Sequence, residues 1–180
     1  AERQVMNKTL PLAAALLASS AAAGEAAPPA APQLDYAFSA SITLDPPLEM
    51  GSVDGARRRY IGITGGTITG PMLQGTVLPG GGDWQSIEPD GLTHVEAHYA
   101  LKAADGTVIE ISNPGVRVAS PEVSDRLARG EEVDPSAYYF RTTPRFTVKP
   151  GPHDWLTRHA FVARGIRLPH EVRIDVFVVR

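Results

Sequence analysis

Apolar and polar residues alternate through most of the chain after residue 33. In the run from Leu34 to Leu44, Leu34, Tyr36, Phe38, Ala40, Ile42 and Leu44 fall on one face, with Asp35, Ser39, Ser41 and Thr43 opposite. That is the period of a half-buried strand. Pro46-Pro47 ends it. Further strands are predicted at 59–64, 70–78, 94–102, 107–112, 136–142 running on to 148, 158–164 and 171–179. Turn residues separate them: Asp54-Gly55, Gly65-Gly66, Pro79-Gly80-Gly81-Gly82, Asp90-Gly91, Asp105-Gly106, Asn113-Pro114-Gly115 and Pro150-Gly151-Pro152. The core faces are expected to be Tyr36/Phe38/Ile42 and Val172/Ile174/Val176/Val178, with Arg173 in solvent.

One short helix is predicted near 121–129. Ser120 is a good N-cap, Pro121 suits the first helical position, Glu122 complements the positive end of the dipole, and Gly130 is placed to stop it. About eight strands at roughly 8–14-residue spacing with one helix predict an all-β fold, an antiparallel barrel or sandwich. No spacer divides residues 33–180, so a single domain is expected there.

The first 32 residues read differently. Met6, a candidate start, opens Met6-Asn7-Lys8, a short basic segment preceded by Arg3, and Leu10 to Ala23 is almost wholly apolar. That length suits a signal peptide and is too short for a spanning helix, which needs roughly 20 apolar residues. Ala21 and Ala23 offer a cleavage site, and cleavage is expected near Ala23 to Ala27, ahead of a disordered Ala/Pro spacer. The mature domain is therefore expected to be exported, periplasmic or secreted.

Composition removes several function classes. Lys+Arg 17 against Asp+Glu 20 gives a net charge of -3, without the basic excess of a nucleic-acid binder. With no Cys, disulfides, thiol nucleophiles and cysteine metal sites are excluded. No transmembrane segment and no cofactor are expected. Gly80-Gly81-Gly82-Asp83-Trp84 lacks the Gly-Lys-Ser/Thr ending of a phosphate loop.

The sequence resembles a known family. The run 57–71 leads into Gly75-Thr76-Val77-Leu78-Pro79-Gly80-Gly81-Gly82-Asp83-Trp84-Gln85. Then follow Ala97-His98-Tyr99, Asp105-Gly106, Asn113-Pro114-Gly115-Val116-Arg117, Tyr138-Tyr139-Phe140-Arg141-Thr142, Pro144-Arg145-Phe146 and Trp155-Leu156. In order and spacing these are similar to the domain of unknown function 3237 family, also called UPF0311, over about 36–179. The resemblance implies a single antiparallel β-barrel and no established reaction. Three departures stand out: His98 where the family usually has Arg, Thr147 where it has Glu, and Thr157 where it has Asn. Pocket positions among these would change the ligand; outside a pocket they would mean little.

Candidate chemistry centres on His94-Val95-Glu96-Ala97-His98. On a strand the two histidines and Glu96 point one way, with Val95, Ala97, Tyr99 and Leu101 the other. A solvated face, an acid/base pocket and a metal site are all open readings, the Arg usual at His98 counting against metal. His98 is expected to point into the barrel near Arg141 or Asp83, where a titratable imidazole would replace a fixed cation. Asp83 and Trp84 are expected on a loop at a barrel mouth, as ligand contacts or with Trp84 as a plug. In Arg57-Arg58-Arg59, Arg58 points away from the other two, leaving an anion site or a solvated strand start. The candidate catalytic residues are Glu96, His98 and Asp83; the candidate ligand contacts are Trp84, Tyr99, Tyr139, Arg141, Trp155 and Thr157.

An eight-stranded barrel can be filled or can hold one small ligand. Three functions follow: acid/base chemistry of lyase, isomerase or cyclase type on a polar organic ligand, carriage of an apolar or aromatic compound, or a structural or interaction domain with a filled barrel. Convergence of Glu96, His98 and Arg141 on one cavity would favour the enzyme, and a lining of Phe, Tyr, Ile and Val alone would favour the carrier.

Overall fold

The computed structural model describes residues 27–180; the expected signal segment lies almost wholly outside them. Eleven strands and one α-helix follow in chain order: β1 Leu34–Leu44, β2 Leu48–Val53, β3 Ala56–Thr69, β4 Gly75–Val77, β5 Gly82–Ile87, β6 Leu92–Ala103, β7 Val108–Val118, α1 Pro121–Ala128, β8 Tyr139–Thr142, β9 Arg145–Thr147, β10 Phe161–Arg167 and β11 Glu171–Val179. Every pairing is antiparallel, and β1–β3–β5–β6–β7–β8–β10–β11 closes back on β1 as an eight-stranded barrel. The short strand β4 continues the position of β5 between β3 and β6, and β9 continues that of β8 along β7. Among the described residues no helix is long and apolar enough to cross a membrane.

Alternation governs the wall, with three local exceptions. A bulge between Tyr36 and Phe38 in the β1–β11 ladder adds one residue and reverses the period. Tyr36, expected in the core, is therefore exposed and stacks edge-on against Phe177, while Ala37 and Phe38 are both buried. Gly65-Gly66 is not a turn but the middle of β3, where β1 crosses so closely that a Cβ on Gly66 would collide with the Ser41 carbonyl oxygen. Its φ of 146° is one that side-chain-bearing residues rarely adopt. Asn113-Pro114-Gly115 likewise runs inside β7, where the β9 pairing has ended and the β8 pairing begins.

The helix forms as its caps dictate. The Ser120 Oγ accepts the Val123 N–H at 3.2 Å, and Gly130 follows the helix at φ 76°. Leu127 tucks under it with Val95, Val133, Tyr138 and Phe140 in a small apolar cluster at one end of the barrel. The main core fills the other end, where Phe38, Phe146 and Phe161 stack with centroids 6.2 and 5.0 Å apart and Trp155 packs on Phe161 at 5.8 Å. Between the two clusters lies a layer of buried polar side chains that includes Arg59, Gln85, Thr93, Arg117 and Thr142.

In β11, Ile174 is buried as expected, but Arg173 is not free: its Nε donates to Asp175 Oδ1 at 2.8 Å, beside Ser39. Ile174→Ala is expected to lower unfolding stability by about 2–5 kcal/mol, the usual cost of emptying a core site. Arg173→Ala should cost about 1 kcal/mol, because its head is half exposed. Urea unfolding of both variants checks the register: equal losses would put this strand's other face inward.

Candidate functional site

The polar layer surrounds a cavity. Strand period aims Asp83 and Gln85 of β5, Tyr99 of β6, Asn113 and Arg117 of β7, Thr142 of β8 and Arg167 of β10 into it, against an apolar wall that includes Ile42, Ile61, Val172 and Ile174. Its open volume is ≈ 40 Å³. A water needs about 10–15 Å³ on this measure, so the space takes a few waters or one small polar group.

Charge defines the site. Arg59 and Arg117 are 4% and 3% exposed, and Arg167 is partly buried. Burial pushes the Arg59 and Arg117 guanidiniums down to about 10, with the neighbouring cations adding to the shift, so both stay charged at neutral pH. Among the described residues none of the three forms an ion pair within 4.0 Å. Arg59 Nε donates to Gln85 Oε1 at 2.8 Å, and Arg167 Nη1 donates to the Leu168 and Glu171 carbonyls, both at 3.0 Å. Among the described residues, the Arg117 Nε, Asn113 Oδ1, Thr93 Oγ1 and Thr142 Oγ1 are buried without a partner. Buried cations and buried polar atoms in this state cost stability, and a bound anion would relieve them.

Asp83 is the acidic member. Its Oδ2 accepts from Gln85 Nε2 at 2.5 Å and its Oδ1 from the Glu96 backbone N–H at 3.0 Å. Because the Gln85 oxygen is held by Arg59, its amide nitrogen must face Asp83. Burial raises the Asp83 carboxyl above the ordinary aspartate range, outweighing those two hydrogen bonds and the pull of Arg59 and Arg117. Burial also pushes the Tyr99 hydroxyl up, beside Asn113, so it remains a proton donor. A carboxyl with a raised pKa next to cations is the equipment of a general acid or base.

The other residues predicted from sequence lie elsewhere. His98 points to solvent, not into the barrel: its imidazole meets Glu110 on the outer face at 2.7 Å, the side that alternation with buried Val95 and Tyr99 assigns to it. Glu96 and His94 share that exposed face. Trp84 is 48% exposed and packs on Tyr60 outside the barrel, because residues 82–87 form a wall strand rather than a mouth loop. Tyr139 and Arg141 are exposed and stack on each other at 5.0 Å. Trp155 packs on the opposite core and Thr157 is exposed beside it. Glu96, His98 and Arg141 therefore do not converge. His98, Thr147 and Thr157, the three departures from the family pattern, are all exposed and leave the lumen's charge untouched.

Sequence reasoning missed Arg117, Arg167, Gln85 and Asn113. The signal was present in parity: Arg59 precedes Ile61 and Ile63, Arg117 follows Ile109, Ile111 and Asn113, and Arg167 follows Phe161, Ala163 and Gly165 on inward positions.

Known proteins share this barrel. A UPF0311 protein of Clostridium acetobutylicum is 40% identical over 143 residues, 79% of this chain and 90% of that protein. The crystal structure of a conserved protein of unknown function from Rhodopseudomonas palustris superposes with a TM-score of 0.82 at 36% identity, covering 84% of this chain and all of that one. A more distant relative, the hydroalkoxylation enzyme of Penicillium herquei, is 33% identical over 84 residues, 47% of this chain and 56% of that protein. Residues 32–179 match the family described as protein of unknown function (DUF3237), and the chain belongs to that family.

Proposed function

We propose that the lumen binds a small organic acid and that Asp83 moves a proton to or from it, in lyase, isomerase or cyclase chemistry. One observation carries the reading. Three guanidiniums without ion-pair partners, two facing the cavity and Arg59 behind Gln85, surround a carboxyl with a raised pKa. Three guanidiniums against one carboxyl leave the site net positive in either protonation state of Asp83, a charge that an anionic ligand would reduce. Arg117 Nε has no partner among the described residues, so binding an anion would not need it to leave one.

The Penicillium relative's name supports the same class of chemistry. Hydroalkoxylation adds the O–H of an alcohol across a carbon–carbon double bond, forming a C–O and a C–H bond, which requires one proton taken from oxygen and one given to carbon. A carrier of apolar compounds is disfavoured by a lining that includes Asp83, Gln85, Asn113, Arg117 and Arg167. The ≈ 40 Å³ of open space among these polar side chains counts against a filled structural lumen.

Isothermal titration with benzoate and with phenylpyruvate tests the reading, both being aryl acids and the second carrying acidic C–H bonds. Saturable binding of at least one is expected, together with faster exchange of the phenylpyruvate methylene protons in heavy water. Absence of binding by either acid would remove the proposal.

A further inference from the structure

The inner cavity cannot house an organic acid by itself. Its ≈ 40 Å³ takes a carboxylate-sized group, so the rest of the molecule must lie outside it. The end of the barrel near Trp155 is stoppered by Phe38, Phe146 and Phe161, with Leu156 1% exposed among them. At the opposite end a second hollow, of ≈ 210 Å³, adjoins the inner one, and Leu44 and Arg167 line both. The β1–β2 turn, the β10–β11 turn and the last turn of α1 enclose it.

This outer hollow is charged: Asp45, Arg59, Arg129, Arg167 and His170 line it beside prolines and the end of α1. Arg129 is already neutralised, its Nε and Nη2 reaching Glu131 Oε1 at 2.9 and 2.8 Å. Asp45 is exposed, and its carboxylate lies over Gly62, which alternation with buried Ile61 and Ile63 puts on the outer face of β3. Arg59 and Arg167 remain. Arg59 is 4% exposed and donates its Nε to Gln85, while Arg167 Nη1 is held by two backbone carbonyls. Among the described residues neither has a carboxylate within 4.0 Å; Glu49 and Asp83 act on Arg59 from beyond that distance. Amide and carbonyl oxygens satisfy N–H groups without cancelling their charge, so two cations face the hollow uncompensated.

We infer that the ligand is a short diacid, with one carboxylate in the inner cavity at Arg117 and the second in the outer hollow on Arg59 and Arg167. This rests on the proposed acid-binding lumen and adds to it a second anionic group and the place that holds it. Arg167, which lines both hollows, stands between the two groups, and Arg59 links the outer one to Asp83 through Gln85. A single carboxylate would leave three guanidiniums and Asp83 net positive, and the second reduces that surplus. Planar guanidiniums suit the task, since each can meet a carboxylate with two parallel hydrogen bonds.

Calorimetric titration of diacids against monoacids of equal chain length tests this: succinate with butyrate, glutarate with valerate, adipate with hexanoate. At least one diacid is expected to bind fivefold or more tightly than its monoacid. The ratio within a pair cancels whatever a variant does to the lumen as a whole, so the ratio is what the variants read. Arg59→Met removes one of the two cations, and His170→Glu, at an exposed turn position, sets a carboxylate of the chain's own beside them. In each the ratio should fall at least threefold. His170→Glu changes no buried group, so it decides the matter if Arg59→Met does not fold. A ratio below fivefold in all three wild-type pairs would overturn the second anionic group while leaving the acid-binding lumen in place. A wild-type ratio kept by His170→Glu and by folded Arg59→Met would put that group elsewhere and overturn the assignment. If neither these acids nor benzoate and phenylpyruvate bind the wild type, the lumen reading falls and this inference with it.

Discussion

Arg117→Met is expected to make the protein more stable and unable to hold an acid. Arg117 is 3% exposed, its Nε has no partner among the described residues, and the like charges of Arg59 and Arg167 act on it more strongly than the opposite charge of Asp83. Folding strips this guanidinium of water and returns little attraction, since Asp83 is shared among three cations. Methionine fills a similar length of side chain with atoms that belong beside Phe140 and Ile174 on the cavity wall. Replacing buried charge by apolar groups of similar volume is often neutral or stabilising by about 1–4 kcal/mol. For a domain of this size each kcal/mol moves the melting temperature by roughly 2–4 °C. Benzoate affinity should fall more than tenfold in the same variant, because the best-placed unpaired donor is gone. Calorimetry with and without benzoate reads both effects. A clear loss of stability would mean that Arg117 has satisfied partners and that the lumen is a structural polar core. The stabilisation would be the signature of a residue kept for binding at a cost to folding.

The fold was legible because its information is local. Period-two alternation in 171–179 gives β11 to the residue, and the Ser120, Pro121 and Gly130 signals give α1. What failed depends on contacts with other strands. The bulge at Ala37 is a property of the β1–β11 register, and nothing in 34–44 alone distinguishes it from an unbroken strand. Gly65-Gly66 carries turn chemistry, yet those glycines serve a close crossing with β1 that exists only once the barrel has closed.

The site shows the same division. Alternation placed Val95, Ala97, Tyr99 and Leu101 inside, and therefore His98 outside; expecting His98 inward set a chemical attraction above the stronger geometric rule. Asp83 was found for its neighbour Trp84, which turned out to face the other way. Arg59, Arg117 and Arg167 come from three strands 50 or more residues apart in sequence. Each taken alone looks like an unfavourable inward charge. Their meaning appears when closure brings them around one cavity, where the violation repeated three times is the ground for the proposed acid-binding site.

Asp83→Asn is expected to leave the barrel folded and acid bound while removing proton transfer. The amide keeps the shape of the carboxyl and can still accept from Gln85 or from the Glu96 N–H, but it has no proton to exchange near neutral pH. Loss of a positioned general acid or base costs roughly 10²–10⁴-fold in rate, read here as heavy-water exchange into bound phenylpyruvate. Stability gives an independent check whose sign follows from the raised pKa. In the unfolded chain the Asp83 carboxyl loses its proton near pH 3.8, and in the folded barrel it holds that proton to a higher pH because burial opposes the charge. Between those two values the folded state binds more protons, so stability declines as pH rises, and above the folded value the loss is complete. The substituted amide cannot ionise and shows no such decline. The variant should therefore gain on the wild type through the acid range, keep that gain at neutral pH, and lose it again below about pH 3.8. Urea midpoints of both proteins across that range would decide it. Parallel curves would mean that Asp83 ionises in the barrel as freely as in water, and a group so solvated would be a poor candidate for the proton transfer assigned to it.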